Sequence, residues 1–279
     1  MVYQQDKGKE PNNVLIGKLT CGSWARMNLP RSKGITPQMA FDIATPSGVF
    51  HAPFYIRHNQ RRLEHLASLG LDLVNKTVLE PGAGIGDHSL FYLDRGCTVT
   101  ALEPRPENVE SLRSNVSKSL TSAKDRLTVV EGEVSALADI TETFDVVHSY
   151  GLLYHLSDPA ESISLFAARC RGILCLETCV SMGNEISLNP VAEPVDNPAQ
   201  AYKGTGCRPT RPWVLHELRK HFPLVYVPRT QPAHDEFPLD WTKPWPTCTG
   251  LIRAVFIASR QGLKNPNLLT ALPSHQTLA

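Results

Sequence analysis

Hydrophobic and polar positions change their period repeatedly along the middle of the chain. Short apolar runs rich in β-branched residues predict buried strands, and segments with apolar residues every three or four positions predict helices. The predicted strands are Thr77–Glu80, Cys97–Glu103, Arg126–Glu131, Phe144–Ser149, Gly172–Thr178, Leu224–Val227 and Ile252–Ser259. The predicted helices are His58–Leu69, Ser89–Asp94, Pro106–Lys118, Pro159–Ala168 and Arg211–His221, the last two capped by Asp158 and Thr210.

This alternation of strands and helices predicts an α/β fold. Its right-handed crossovers give a doubly wound, mostly parallel seven-stranded sheet with helices on both faces. We assign residues 51–260 to this domain. Two stretches inside it, 183–211 and 228–250, lack periodicity and carry Asn, Pro and Gly. Long loops of this kind are usually functional, so we interpret both as caps over a substrate.

The two ends of the chain differ from the middle. Residues 1–50 are rich in Gly, Pro, Asn, Lys and Ser, which predicts an irregular arm that could close over a ligand as a lid. Residues 261–279 are polar and contain proline, which predicts a flexible tail. The sequence has neither a signal-peptide pattern nor an apolar run of about 20 residues, so we expect a cytoplasmic protein without a membrane anchor.

Composition narrows the possible partners. The 279 residues are 42% hydrophobic, enough for a sizeable core, and the net charge is +1. Proteins that grip a phosphate backbone usually carry a basic face, so nucleic acid is disfavoured as a partner. The seven cysteines are odd in number and irregularly spaced. This pattern indicates reduced thiols and disfavours both disulfides and a zinc knuckle.

A glycine-rich turn follows the first predicted strand. It reads Glu80-Pro81-Gly82-Ala83-Gly84-Ile85-Gly86-Asp87-His88. Glycines at alternate positions let the backbone turn tightly and approach a ligand closely. The spacing G-x-G-x-G differs from the G-x-G-x-x-G of dinucleotide sites. A carboxylate at Glu80 would repel a pyrophosphate but attract an ammonium group, so the turn predicts an amino-acid-like ligand.

Acidic residues also end the next two predicted strands. Glu103 lies about 20 residues after the glycine turn, where a carboxylate can accept hydrogen bonds from both hydroxyls of a ribose. Glu133 follows the third strand and can accept from an exocyclic adenine amine, with Glu131 as a competing candidate. Strand alternation would point Glu131 and Glu133 the same way. Residues suited to an ammonium group, a ribose and an adenine therefore occur in this order at the ends of three successive strands.

The segment Glu80–Asp87, Glu103, Glu133 and the run from Phe144 to Leu156 together resemble the class I S-adenosylmethionine-dependent methyltransferases. The resemblance covers about Asn59–Val180 and implies a Rossmann-like methyltransferase fold. It implies S-adenosylmethionine as cofactor and S-adenosylhomocysteine as product. The cofactor-binding residues that we predict are Glu80, Gly82, Ala83, Gly84, Gly86, Asp87, His88, Glu103, Pro104, Glu133, Val134, Tyr150 and Gly151.

Methyl transfer to a hydroxyl also requires a base, because the acceptor must lose a proton. His155 is the predicted base, since imidazole titrates near working pH, and Tyr154 is predicted to orient the acceptor. A capping or packing role remains the alternative for His155. Tyr55, His58 and His234 are the predicted substrate-binding residues. No acidic metal-binding cluster is evident after the fourth strand, so we expect no metal.

Three functions remain open from the sequence. The first is methylation of a small-molecule acceptor, most simply an O-methylation of a sugar or secondary metabolite. The second is modification of tRNA or another RNA, because Gly151–His155 also resembles enzymes that modify wobble uridine. The third is a protein that binds S-adenosylmethionine without transferring its methyl group. Oligomeric state is left open.

Overall fold

The computed structural model describes residues 45–195, 197, 199–247 and 249–279, without the side chains of Thr121 and Lys124. Most of the arm predicted for residues 1–50 therefore lies outside the described residues. The α-helices are α1 Pro46–Phe50, α2 Pro53–Ser68, α3 Asp87–Asp94, α4 Pro106–Ser119, α5 Pro159–Arg169 and α6 Arg211–His221. Short 3-10 helices span Thr121–Arg126, Val134–Ala138 and Leu153–His155.

Eight strands form one mixed sheet, and the other four form two small pairs. The sheet strands are β1 Thr77–Pro81, β2 Thr98–Glu103, β3 Leu127–Glu131, β4 Phe144–Tyr150, β5 Cys170–Val180, β8 Leu224–Pro228, β10 Ile252–Ser259 and β11 Leu268–Leu269. The remaining strands are β6 Pro190–Ala192, β7 Thr205–Cys207, β9 Thr230–Gln231 and β12 Thr277–Leu278. All seven predicted strands are present, with ends within three residues of the prediction.

The sheet order is β11-β8-β10-β5-β4-β1-β2-β3. The five strands from β3 to β5 pair in parallel, whereas β10 runs antiparallel to both of its neighbours. The doubly wound, mostly parallel sheet is therefore confirmed. Because β1 lies between β2 and β4, the chain reverses its direction of travel at β1. In such sheets ligands bind beside the carboxyl ends of the strands at this reversal.

Helices cover both faces of the sheet, as predicted. One core packs the apolar sides of α5 and α6 against the sheet and includes Phe166 and Leu218. The other packs α2, α3 and α4 against the opposite face and includes Leu66, Tyr92 and Leu112. The central strands β1, β4, β5 and β10 are largely buried from both sides, which explains why their sequences read as continuous apolar runs.

Local capping fixes the starts of the helices. The Asp158 side chain accepts a hydrogen bond from the Glu161 N–H, and the Thr210 hydroxyl accepts from the Trp213 N–H, so both predicted caps are present. Helix α2 begins at Pro53, five residues before the predicted start at His58. Proline is favoured in a first helical turn, where its missing N–H leaves no bond unmade, and this signal is visible in the sequence.

The C-terminal segment differs from the flexible tail that its composition predicts. Strand β11 adds an eighth strand to the sheet by pairing with β8, and β12 pairs with β9. The buried side chain of Gln276 donates to the Pro228 carbonyl at 2.6 Å and accepts from the Trp241 indole at 2.7 Å. A few such long-range contacts order a polar segment, and periodicity cannot reveal them.

The two long loops predicted as caps contain little regular structure. The first includes the β6–β7 hairpin, and the second runs from β8 through β9 to β10. Within the part of the chain that the structure describes, no helix combines the length and apolar character needed to cross a membrane.

Candidate functional site

A cleft lies at the carboxyl ends of β1, β2 and β4. Its walls come from the turns after these strands, from α1 and α2, and from residues 199–203 of the first long loop. The cleft is open to solvent, and its empty volume, counted with the open mouth, is about 1370 Å³.

The glycine turn forms the floor of this cleft. Gly82 and Gly84 have φ angles of +72° and +55°, in the left-handed region that other residues adopt at a cost. The backbone N–H groups of Gly82 and Ala83 both donate to the Leu102 carbonyl, at 2.7 and 3.1 Å. These bonds tie the turn to the end of β2. The glycines thus hold an exposed stretch of backbone in a fixed shape beside the cleft.

Glu103 at the end of β2 is buried and heavily hydrogen-bonded. One carboxylate oxygen accepts from the Gly84 N–H at 2.9 Å. The other accepts from the Asn108 side chain at 2.9 Å and the Arg105 N–H at 3.2 Å. Burial nevertheless raises the pKa of Glu103 above its usual value. A carboxylate can accept about four hydrogen bonds, so Glu103 retains room for a ligand hydroxyl.

Glu80 at the end of β1 is also buried in the cleft wall. The Ser89 hydroxyl donates to its carboxyl group. Burial raises the pKa of Glu80 to about 8, with a further contribution from the nearby Asp87 and Glu103. A cationic group placed next to Glu80 would favour its ionised form. The site is therefore electrostatically suited to an ammonium group.

Glu133 lines the far end of the cleft, where β3 gives way to a 3-10 helix. Its carboxylate pairs with Lys203 of the first long loop at 2.5 Å. The guanidinium of Arg105 stacks over Tyr202 with 5.3 Å between the guanidinium carbon and the ring centroid. The loop thus closes over this end. Glu131 is exposed and outside the lining, because β3 ends there and the chain turns before Glu133.

The end of β4 supplies the opposite wall. A Cβ at Gly151 would come within 3.0 Å of the Arg62 side chain, and its φ is +76°. Nearby, the Tyr150 hydroxyl and Nε2 of His88 are buried without a hydrogen-bond partner among the described residues. Buried polar atoms are rarely left unbonded, so both atoms fit contact with a ligand.

His155 lines the cleft and forms a dyad with Glu193. Its Nδ1 atom donates to a carboxylate oxygen of Glu193. Arg208 and the Ala201 N–H each donate to the same carboxylate at 2.9 Å. Burial alone would raise the pKa of Glu193, but the bonds from His155, Arg208 and Ala201 outweigh it and hold this pKa at about 2.

The protonation states of this dyad follow from these shifts. Burial lowers the pKa of His155 below its usual value, although Glu193 opposes the shift. At neutral pH the carboxylate of Glu193 is ionised and the ring of His155 is neutral. With its proton on Nδ1, the ring keeps a lone pair on Nε2. A carboxylate–imidazole pair of this kind is the usual arrangement of a general base.

A buried ionic network lies behind this wall. Glu177 accepts from Arg62 at 2.8 Å and from Arg253 at 3.0 Å. Arg253 also donates to Glu236 at 2.6 Å and to the Tyr154 hydroxyl at 3.1 Å. Two arginines and two glutamates balance in charge, which permits their burial. Tyr154 therefore belongs to this network and is not among the residues that line the cleft.

The structure brings most of the predicted site residues to one cleft. The predicted residues that line it are Tyr55, Glu80, Gly82, Ala83, Gly84, Asp87, His88, Glu103, Pro104, Glu133, Val134, Tyr150, Gly151 and His155. Four predicted residues are not among the lining residues, namely Gly86, Tyr154, His58 and His234. Gly86 turns the chain into α3 with φ +86°.

Sequence reasoning missed several residues of the cleft. Asn59 and Arg62 line the cleft from α2. From the first long loop, Lys203 lines the cleft and Glu193 contacts His155. Helical spacing places Asn59 and Arg62 on one face, a signal that was available. Nothing local in the sequence indicates that Glu193 meets His155, which lies 38 residues away.

Comparison with known proteins agrees with this site. A family model described as "Methyltransferase domain" matches residues 78–172. "Ribosomal RNA small subunit methyltransferase A" of Mycobacterium tuberculosis (strain ATCC 25177 / H37Ra) is 28% identical over 186 residues, or 64% of this chain and 55% of that protein. "Ubiquinone biosynthesis O-methyltransferase" of Methylocella silvestris is 34% identical over 97 residues, or 35% of this chain and 34% of that protein.

The chain thus spans about half the length of the mycobacterial relative. Among solved structures, the N-terminal domain of EvdMO1 in the presence of S-adenosylhomocysteine and D-fucose has a similar fold, with a TM-score of 0.55. The two are 19% identical, and the match covers 75% of this chain and 85% of that one. The matched region, the sheet order and the glycine turn together show a class I S-adenosylmethionine-dependent methyltransferase domain with a Rossmann-like fold.

Proposed function

We propose that this chain methylates a hydroxyl oxygen of a small-molecule acceptor, a sugar or a secondary metabolite. The observation that carries the proposal is the His155–Glu193 dyad in the cleft wall. A neutral amine can attack a methyl group before it loses a proton. A hydroxyl is a poor nucleophile until a base removes its proton. A positioned neutral imidazole therefore favours an oxygen acceptor.

The lining of the cleft suggests an orientation for the cofactor. Glu80 would face the ammonium of the methionine part, and Glu103 would accept from a ribose hydroxyl. The N–H groups and side chains near Glu133 and Val134 would contact adenine. When bound, the cofactor supplies a methyl group that is already activated by the sulfonium charge. The unbonded Tyr150 hydroxyl and His88 Nε2, both in the cleft region, support the presence of a polar ligand here.

The protein's own residues would then prepare the acceptor. Glu193 holds the ring of His155 in one tautomer, so Nε2 can take the proton of the acceptor hydroxyl. Burial of the dyad excludes water, which would otherwise compete for the base. The first long loop closes the adenosine end through Lys203 and Tyr202. These contacts favour a small acceptor in the remaining space.

RNA is the alternative acceptor, because the mycobacterial relative is named as a ribosomal RNA methyltransferase. Charge argues against it. The net charge is +1, and Lys203 at the rim of the cleft is paired with Glu133. RNA-binding surfaces normally present unpaired basic side chains. The solved fold neighbour was determined in the presence of S-adenosylhomocysteine and D-fucose, which is consistent with a sugar as the acceptor.

Incubation of the protein with methyl-labelled S-adenosylmethionine and cell extract tests the proposal. We expect a labelled small molecule, identified by mass spectrometry, that resists RNase. Label that disappears after RNase treatment would favour the RNA alternative. Tight cofactor binding without any labelled product would favour a binding protein without transfer activity.

The role of His155 requires a matched pair of variants. We expect His155→Ala to lose turnover and to keep its cofactor affinity. His216→Ala is the control, because His216 is an exposed residue on α6. Equal turnover of both variants across pH would remove His155 as the base.

A further inference from the structure

Two imidazole rings meet in the interior behind the acceptor side of the cleft. His58 on α2 and His234 in the second long loop have ring centroids 5.0 Å apart. The two residues are only 2% and 5% exposed. Nε2 of each ring is buried and has no hydrogen-bond partner among the described residues. Nearly all buried polar atoms are bonded, so two adjacent unbonded nitrogens indicate that a partner belongs there.

A carboxylate completes the group. One oxygen of the buried Glu236 lies 3.5 Å from Nε2 of His58. One potential ligand atom from each of His58, His234 and Glu236 lies within 4.8 Å of the other two. Two imidazoles and one carboxylate form a common donor set for a zinc ion. Imidazole also binds other divalent transition metals, whereas Ca²⁺ and Mg²⁺ prefer oxygen.

Surrounding groups hold two of these donors, His234 and Glu236, in place. Nδ1 of His234 lies 3.2 Å from a carboxylate oxygen of Asp235 and 3.3 Å from the backbone nitrogen of Glu236. The metal-binding form of the ring carries its proton on Nδ1, toward Asp235, and gives up the hydrogen bond from the Glu236 N–H, so that the lone pair on Nε2 faces the ion. Thr249 donates to one oxygen of Glu236 at 2.7 Å, and Arg253 donates to the other. Second partners of this kind orient the ligands in most metal sites.

We propose that His58, His234 and Glu236 bind one divalent transition-metal ion, represented by Zn²⁺. Each oxygen of Glu236 accepts one hydrogen bond from the protein and keeps one lone pair for the ion. The ionic network around Glu177 is balanced, and Asp235 contributes a further negative charge beside the site.

The ion would join two parts of the acceptor wall. His58 lies on α2 between Tyr55 and Arg62, which line the cleft. His234 and Glu236 lie in the loop between β9 and β10. A metal bridge would fix the helix against this loop and so fix the wall of the acceptor pocket. Under this proposal the protein binds a metal that the sequence does not predict, and His58 and His234 would be ligands of the ion instead of the substrate.

Metal binding to the full chain, without a polyhistidine tag, tests the proposal. The protein is stripped with EDTA, and Zn²⁺ is added in a calorimetric titration and counted by mass spectrometry after desalting. We expect one Zn²⁺ per chain. We expect His58→Gln and His234→Gln to weaken binding by about 100-fold or more, beyond the effect of losing a supporting group.

His65→Gln is the matched control. His65 is equally buried and lies on the same helix, but its Nε2 is 3.1 Å from the Thr230 carbonyl oxygen. This variant should bind Zn²⁺ as the unchanged protein does. Circular dichroism and thermal unfolding check that every variant folds. X-ray absorption at the zinc edge of the unchanged protein should show scattering from two imidazoles, and this measurement needs no variant.

Three results would each overturn the proposal. They are less than stoichiometric Zn²⁺ on the unchanged protein, equal affinities of the His58→Gln, His234→Gln and His65→Gln variants, and an absorption spectrum without imidazole scattering. None of these readouts needs a methyl acceptor. Failure of the metal site would therefore leave the proposed O-methylation untouched, and the reverse also holds.

Discussion

We expect the buried carboxyl group of Glu80, which would attract the cofactor, to reduce the stability of the protein. Its carboxyl group is buried, and burial raises its pKa from 4.5 to about 8. A carboxyl group whose pKa is higher in the folded state binds its proton more tightly there. Its contribution to stability is complete at pH values below the unfolded-state pKa, and it is lost as the pH rises through the folded-state pKa. The cost of holding Glu80 in the interior should therefore grow between about pH 4.5 and pH 8.

The magnitude follows from the size of the shift. One pKa unit corresponds to about 1.4 kcal/mol, so the penalty at pH 8 and above is at most about 5 kcal/mol. Glu80→Gln removes the charge and keeps the shape, and its amide oxygen can still accept from Ser89. We expect this variant to be more stable than the unchanged protein at pH 8–9. The difference should shrink steadily toward pH 5.

Urea unfolding at several pH values between 5 and 9 measures this difference. Glu110→Gln is the control for loss of a carboxylate at the surface, because Glu110 is exposed on α4. The same variants are then titrated with S-adenosylmethionine, and Glu80→Gln should bind it more weakly despite its greater stability. A stability difference that stays constant across this pH range would refute the assignment of a raised pKa to Glu80.

Three further predictions concern other parts of the site. Gly82→Ala forces a φ of +72° on a residue whose Cβ would lie 2.8 Å from Leu152, at a strain of roughly 1–2 kcal/mol. We expect calorimetry to show that this variant binds the cofactor about tenfold more weakly. Glu193→Gln removes a charge-assisted bond worth about 1.5–3 kcal/mol, so turnover of the identified acceptor should fall about 10- to 100-fold with unchanged cofactor affinity; an unchanged rate would contradict the dyad. Arg253→Met leaves Glu177 and Glu236 buried without their shared partner, so the free energy of unfolding in urea should fall by about 3–5 kcal/mol. A decrease below about 1 kcal/mol would show that the network does not depend on Arg253.

The fold was largely predictable because it depends on local patterns. The central strands are buried from both sides, so each appears as an apolar run with a turn at its end. The cofactor end of the cleft was predictable for the same reason, since Glu80 and Glu103 lie at the carboxyl ends of β1 and β2. Parallel strands bring their carboxyl ends to one edge, and adjacency in the chain then becomes adjacency in space.

The acceptor side was harder to predict because it depends on long-range contacts. His155 meets Glu193 across 38 residues, and Arg62 meets Glu177 across 115. His58 was predicted to touch substrate because it precedes the core, yet it faces His234 in the interior. The tail is held in place by single long-range contacts such as those of Gln276, and its composition alone therefore predicts a flexible segment. Hydrophobic periodicity carries no information about such pairs.

The division between these two sides coincides with the bounds of the matched family model. The family model covers residues 78–172, which contain the glycine turn, Glu103 and His155. It excludes α2, Glu193 and Arg253, which form or support the acceptor wall. Helix α2 links the two sides, because Asn59 donates to Asp87 beside the glycine turn while Arg62 binds Glu177. We therefore expect the matched core to hold the methyl donor, and α2 and the two long loops to select the acceptor.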